Sequence, residues 1–291
     1  MIDIHTHLFW TSYDADRDEV VSRAREAGVT RMVCVGTEPE DDLLALAVAE
    51  KYEGVFAAVG IHPHFFNELI EKQFSNKLQL FGEEIRKLIE ALKKLAQHEK
   101  VIAIGECGLD YFSHDPAKVM TDEQKVAQKA GFMAQIALAK ELSLPLIIHT
   151  RPSAGSMDAY EDLLEILKAN ESASWRIKAI LHCYMGDTET TRKFLALSHV
   201  YFSFAGNITY PVKKTLVGTK DDLTETVKLV PIERLFVETD CPFLAPQGKR
   251  GERNEPAFVV AVAEEIALLR GLTPEAIERS TEMNGRQVFN I

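Results

Sequence analysis

Met1-Ile2-Asp3-Ile4-His5-Thr6-His7-Leu8 runs a short apolar strand into a pair of histidines, and that junction decides between the two parallel α/β folds open to the chain. An open, doubly wound sheet usually carries a Gly-rich phosphate turn after its first strand, whereas a closed barrel gathers polar side chains at the C-terminal ends of its strands. Here the turn is His5-Thr6-His7-Leu8, without glycine, which favours the barrel. Residues two apart in extended chain point the same way, so His5 and His7 can face the barrel axis together and bind one ion as a pair.

Outward from this point, β-rich runs alternate with helical patterns to the far end. Strands are predicted at 1–4, 31–35, 55–59, 101–104, 146–148, 179–181, 200–204 and 235–237, and helices at 17–27, 39–50, 82–97, 122–142, 158–169, 188–196 and 222–229. Eight short, almost continuously apolar strands are what a closed parallel sheet needs, because both of its faces are buried. The tail at 273–289 predicts one more helix, opened by Thr273 as cap and Pro274 in the first turn. The expectation is therefore an α/β fold, a TIM-type β/α barrel of parallel strands with an extra C-terminal helix. No linker, repeat or low-complexity tract divides it, so residues 1–291 are expected to form one domain. Insertions at 65–81 and 244–254 follow strand ends, where barrel enzymes place substrate loops.

Composition narrows the function. Apolar residues make up 46% and charged residues 26%, the profile of a folded chain with a sizeable core. The net charge of −11 repels phosphate backbones over most of the surface, so any nucleic-acid contact has to be local and compensated, as bound divalent cations would do. Cys34, Cys107, Cys183 and Cys241 form no CxxC pair, and no basic segment leads into an apolar signal run, so a reducing cytoplasmic setting is expected. No apolar stretch approaches the roughly 18 to 20 residues that span a bilayer.

Metal-binding side chains recur at the predicted strand ends: His5 and His7 after the first, Glu106 after the fourth, His149 after the fifth, His182 after the sixth and Asp240 after the eighth. One HxH alone reads equally well as two packed or solvated histidines. Its company changes that, because His62 and His64 also sit at a strand end, whereas His98, His114 and His199 fall on helical or loop positions and read as surface or loop residues. Glu106 follows an apolar strand, where an uncompensated charge would be costly and a cation would compensate it. For Glu238 two roles stay open, orienting a ligand from behind or making an ion pair within the barrel. His62, His64 and Arg151 suit the oxygens of a phosphate, or else are loop histidines and a surface ion-pair partner. The cysteines beside Glu106, His182 and Asp240 read as small buried residues, since alternation turns them away from their neighbours' direction. Imidazoles and carboxylates without thiolate suit Zn²⁺ or Mn²⁺, with Mg²⁺ less natural among four histidines.

In order, the motifs are Asp3-Ile4-His5-Thr6-His7-Leu8, Gly60-Ile61-His62-Pro63-His64, Ile104-Gly105-Glu106-Cys107-Gly108-Leu109-Asp110-Tyr111, Pro145 through Arg151, His182-Cys183, Ser203-Phe204-Ala205-Gly206-Asn207, Glu238-Thr239-Asp240-Cys241-Pro242 with Leu244-Ala245-Pro246, and Arg253-Asn254-Glu255-Pro256. Together they resemble the TatD family of metal-dependent hydrolases, within the amidohydrolase-like barrel group, over nearly the whole chain. The resemblance implies phosphodiester hydrolysis, typically deoxyribonuclease activity on DNA ends, with His5, His7, Glu106, His149, His182 and Asp240 as metal ligands. It also brings in relatives linked to removing D-amino acids from tRNA, an ester hydrolysis. The chain departs from the family pattern at Phe9, where an acidic or amide residue is usual, and at Pro152-Ser153-Ala154-Gly155, where an acidic residue usually follows the His-x-Arg motif. It departs again at Tyr184-Met185, where Phe-Ser is common.

Two divalent ions, Mg²⁺, Mn²⁺ or Zn²⁺, held roughly 3.5 to 4 Å apart and bridged by Glu106, would clamp a phosphate oxygen and lower the pKa of a water. Asp240 would take that water's proton, while Arg151, His62 and His64 offset charge on the phosphoryl oxygens, which makes Asp240 and Glu106 the catalytic pair. Three readings stay open: a phosphodiesterase acting on DNA, a metal-dependent esterase or amidohydrolase such as a D-aminoacyl-tRNA deacylase, and a non-catalytic metal-binding protein. A small-molecule amidohydrolase often bridges its metals through a carboxylated lysine, and Glu106 in that place favours the first. DNA is the expected substrate, with no membrane and no protein partner inferable.

Overall fold

Eight parallel strands pair in chain order in the computed structural model, which describes residues 1–71, 78–113, 115, 119–171, 177–211 and 223–291. They are β1 (Ile2–Thr6), β2 (Arg31–Val35), β3 (Val55–Val59), β4 (Val101–Asp110), β5 (Leu146–Arg151), β6 (Ala179–Leu181), β7 (Val200–Phe204) and β8 (Leu235–Val237). Helices follow them: α1 (Arg17–Glu26), α2 (Pro39–Lys51), α3 (Pro63–Leu69), α4 (Leu78–Leu95), α5 (Asp122–Leu142), α6 (Asp158–Ala169), α7 (Thr188–Leu195), α8 (Leu223–Leu229), α9 (Val259–Arg270) and α10 (Pro274–Phe289). The sheet curls into a nearly closed barrel. Its seam is fastened just beyond β8, where the Asp240 amide donates to the His5 carbonyl at 2.9 Å and the His7 amide to the Cys241 carbonyl at 2.8 Å.

Apolar side chains drawn from all eight strands, among them Ile4, Val33, Ala58, Ala103, Ile147, Ile180, Tyr201 and Phe236, form one buried cluster. Only the barrel interior can bring residues of every strand together, and Val288 and Phe289 of α10 join the cluster and floor it. A larger cluster, with Met32, Ala57, Ile148, Leu181 and Phe202 facing Val20, Phe132, Leu163, Phe194 and Ile266 of the helices, fills the space outside the sheet. Each such side chain fully buried contributes about 1.5–3 kcal/mol.

The local rules are visible at the helix ends. Thr121 caps α5 in a reciprocal box with Gln124, and Thr273 caps α10 by accepting from the Ala276 amide. Gly271 ends α9 in the left-handed region, which its missing Cβ permits.

Several expectations need correction. β4 runs on to Asp110 and β5 to Arg151, so Glu106 and His149 lie within strands and not in loops after them. The insertion at 65–81 is largely helical where described, holding the end of α3 and the start of α4, and residues 72–77 lie outside the described part. Of the helix expected over 222–229, Leu223–Leu229 is helical as expected, and Asp222 lies outside the described residues. Helix α9 was not expected: Val259-Val260-Ala261-Val262-Ala263 presents apolar residues on every side, so no 3.6-residue stripe stands out.

Strand register shifts between Ala57 and Ala58 of β3 and, near the mouth, in β1 between Asp3 and Thr6 and in β4 between Ile104 and Cys107. Bulges re-aim side chains, and the two near the mouth bracket His5 and Glu106. At the same end of the barrel a Cβ on Gly60 would fall 2.6 Å from the Gly105 carbonyl carbon, so only glycine lets the end of β3 lie against Glu106 and present His62 to it.

Candidate metal centre

Glu106 is buried at the centre of the mouth, and imidazoles approach both of its oxygens. Its Oε2 lies 3.4 Å from His5 Nε2 and 4.0 Å from His7 Nε2; its Oε1 lies 2.8 Å from His149 Nδ1, 3.2 Å from His182 Nε2 and 3.7 Å from His62 Nε2. Asp240 completes the first group, with Oδ1 at 3.4 Å from His7 Nε2 and 3.8 Å from His5 Nε2. The structure thus brings all six side chains singled out at strand ends into one pocket. Two triads, His5 with His7 and Glu106, and Glu106 with His149 and His182, each hold their donor atoms within 4.8 Å of one another. Glu106 belongs to both.

Neighbours behind the imidazoles decide which ring nitrogen faces inward. His7 Nδ1 lies 2.8 Å from the Val35 carbonyl, an acceptor, which leaves Nε2 directed at Asp240. His182 Nδ1 donates to Glu238 Oε1 at 3.0 Å, and His149 Nε2 to Asp110 Oδ2 at 3.0 Å. Carboxylates and carbonyls in this position fix the tautomer of metal-binding histidines and raise their basicity. Glu238 therefore orients His182, and the same oxygen also accepts from the Cys183 amide at 2.6 Å.

Asp110 escaped the sequence reading. Its Oδ2 also meets His64 Nε2 at 3.1 Å, so one carboxylate steadies both His149 and His64. The signal was available: Asp110 follows Glu106 by four residues, which is the same face of a strand that continues. Asp110→Asn is expected to weaken divalent-cation binding about 10- to 100-fold, measured by competition with a chelating dye, because the amide cannot hold His149 as a carboxylate does.

Charge in the pocket is balanced among these groups. Burial works against ionisation of Glu106, but the His182 charge and the close imidazoles of His149, His182 and His5 outweigh it and hold the carboxyl well below its usual range. Asp240 is likewise held down, burial being overcome by its bond to His7 and by the His182 and His5 charges. His149, though buried, is pushed up to about 9 by Asp110 and Glu106, whereas burial and the neighbouring His149 push His62 down to about 3. A cation entering must displace the His149 proton, so it binds more tightly as pH rises.

The remaining residues fall as follows. His62 lies inside the mouth and His64 at its half-exposed rim. The Arg151 guanidinium lies 3.7 Å over the Phe112 ring, and no carboxylate among the described residues pairs with it. Cys107 and Cys241 are buried, but Cys183 is only half-buried, with the Asn207 amide 4.0 Å from its sulfur. His199 lies in a turn, as the loop reading has it, but is buried and not at the surface, while His98 is half-buried, 3.1 Å from Glu50. His114 lies outside the described residues.

The donor set fits a divalent metal. His5 is wholly buried with neither ring nitrogen hydrogen-bonded, and Glu238 Oε2 is equally without a partner. Such orphaned polar atoms are costly unless something coordinates or bonds them. Imidazole and carboxylate without thiolate suit Zn²⁺, Mn²⁺ and similar ions at a site with open positions.

Comparison with known proteins gives a consistent picture. A family model described as TatD related DNase matches residues 2–290. The chain is 38% identical to YabD of Bacillus subtilis, a metal-dependent hydrolase, over 100% of this chain and 99% of YabD. It is 32% identical to the 3'-5' ssDNA/RNA exonuclease TatD of Erwinia tasmaniensis, over 100% of both. Among solved structures, the TatD homologue YJJV of Escherichia coli superposes with a TM-score of 0.77 at 27% identity, covering 100% of this chain and 98% of that one.

Proposed function

Since the chain belongs to the TatD-related family of metal-dependent hydrolases, we propose that it cleaves phosphodiester bonds of DNA with two divalent cations held by His5, His7, Glu106, His149, His182 and Asp240, in one barrel domain spanning residues 1–291. The observation that carries this reading is the shared Glu106, placed between two sets of imidazoles with one oxygen toward each. The nuclease names of relatives such as the Erwinia protein support the substrate.

Bound there, the cations would make a water acidic enough to ionise near neutral pH and offset charge on a phosphoryl oxygen. The protein's own residues supply the rest. Asp240, kept ionised by His7, accepts the water's proton at Oδ1. Arg151 offers a planar fork for phosphate oxygens from its perch on Phe112, and His62 and His64, edge to face at 5.0 Å, offer two imidazoles. Asp110 and Glu238 keep His149 and His182 in register. A surface of net charge −11 discourages broad contact with a strand, so recognition concentrates at this pocket.

Purified apoprotein titrated with Mg²⁺, Mn²⁺ or Zn²⁺ is expected to degrade single-stranded DNA with at least one of them and to be inert with EDTA. Cleavage of an aminoacyl-tRNA ester with DNA untouched under every metal would replace this reading with a deacylase.

A further inference from the structure

Beside the mouth, two aromatic side chains are left in solvent. Trp10, from the loop after β1, is 38% exposed and Phe243, from the loop after β8, is 43% exposed. Scattered exposed aromatics are ordinary, but these two come from opposite ends of the sequence and meet edge to face with centroids 4.9 Å apart. Both also flank His7, at 6.4 Å for Trp10 and 6.3 Å for Phe243.

Their backbones are pinned to the residues of the centre. The Trp10 amide donates to the His7 carbonyl at 3.1 Å and the Phe243 amide to the Asp240 carbonyl at 2.9 Å. The buried Asn254 side chain holds the Phe243 carbonyl at 2.5 Å, and Arg17 grips the carbonyls of Leu8, Phe9 and Trp10. A rigid aromatic pair standing open beside a reactive centre is preorganised to receive a flat ring. Packing does not account for it, since burying the pair would have been favourable.

We propose that Trp10 and Phe243 form a platform on which the unpaired base next to the scissile phosphate stacks. The proposal rests on the phosphodiesterase reading and adds the group that recognises the strand. Stacking grips a strand without using charge, which suits a protein whose net charge of −11 opposes phosphate binding. It is tolerant of sequence, because every base has a π-face. A base in a duplex must first be unpaired and unstacked, so the platform favours single strands.

The test compares one single-stranded oligodeoxynucleotide with a version whose terminal residues are abasic. For the base-bearing strand, Trp10→Ala is expected to raise KM roughly tenfold and change kcat less than about twofold, with Trp10→Phe restoring most of the loss. The abasic-ended strand should already bind weakly to the wild type and be indifferent to Trp10→Ala. An equal effect on both substrates, or no rise in KM, overturns the proposal. A second measurement separates its failure from failure of the hydrolase reading. In Trp175→Phe protein, where Trp10 is the sole tryptophan, a cleavage-resistant phosphorothioate strand should quench fluorescence and its abasic counterpart should not. Base-dependent quenching supports the platform even if no strand is cut, and its absence refutes the platform even if strands are cut.

Discussion

Glu106→Gln is expected to cost the protein most of its bound cation and on the order of a thousandfold or more in hydrolysis. Glutamine keeps the shape of glutamate but not its charge, and no other carboxylate among the described residues lies between both imidazole groups. His5 at 3.4 Å, His149 at 2.8 Å and His182 at 3.2 Å would all lose the same partner. The metal-free variant should also be less stable by about 3–5 kcal/mol, because removing one side of a buried ion pair leaves the other uncompensated. Elemental analysis gives the cation content, and urea denaturation in EDTA gives the stability. A variant that retains full metal content and a wild-type rate would remove Glu106 from the centre.

Asp240→Asn should separate proton transfer from metal binding. Asparagine fills the same space but cannot take a proton, and loss of a positioned base typically lowers kcat by about 10²–10⁴-fold. His5, His7 and Glu106 remain for the first cation, so metal content should fall much less than activity. The sign of the pH dependence follows from the direction of the shift. The Asp240 carboxyl is held below its ordinary range, so the wild type keeps its base ionised through mildly acidic pH, and the rate falls once that carboxylate is protonated. The variant should lose that acid limb. If its kcat matches the wild type at every pH, another group accepts the proton.

The barrel was legible because its strands are short apolar runs between turn signals, long enough to cross a sheet and too short for helices. The donors were legible because each stands at the end of such a run, and the topology makes those ends neighbours. What escaped depends on detail that spacing does not carry. Gly105 reads as the end of a strand, yet β4 continues through it and carries Asp110 into the pocket. Strict alternation puts Ile4 and His5 on opposite sides, and the register shift in β1 overrides it. His199 sits in a turn whose residues suggest solvent, but the turn packs down at the start of β7. Trp10 and Phe243 become a pair only when the barrel closes.

The same closure governs when the centre can exist. Asp240 and Cys241 bond to the backbone of His5 and His7, so the last strand of the sheet has to arrive before the first can present its imidazoles. The pocket is therefore whole only where the two edges of the sheet meet, and any change that loosens that seam would disperse the ligands together.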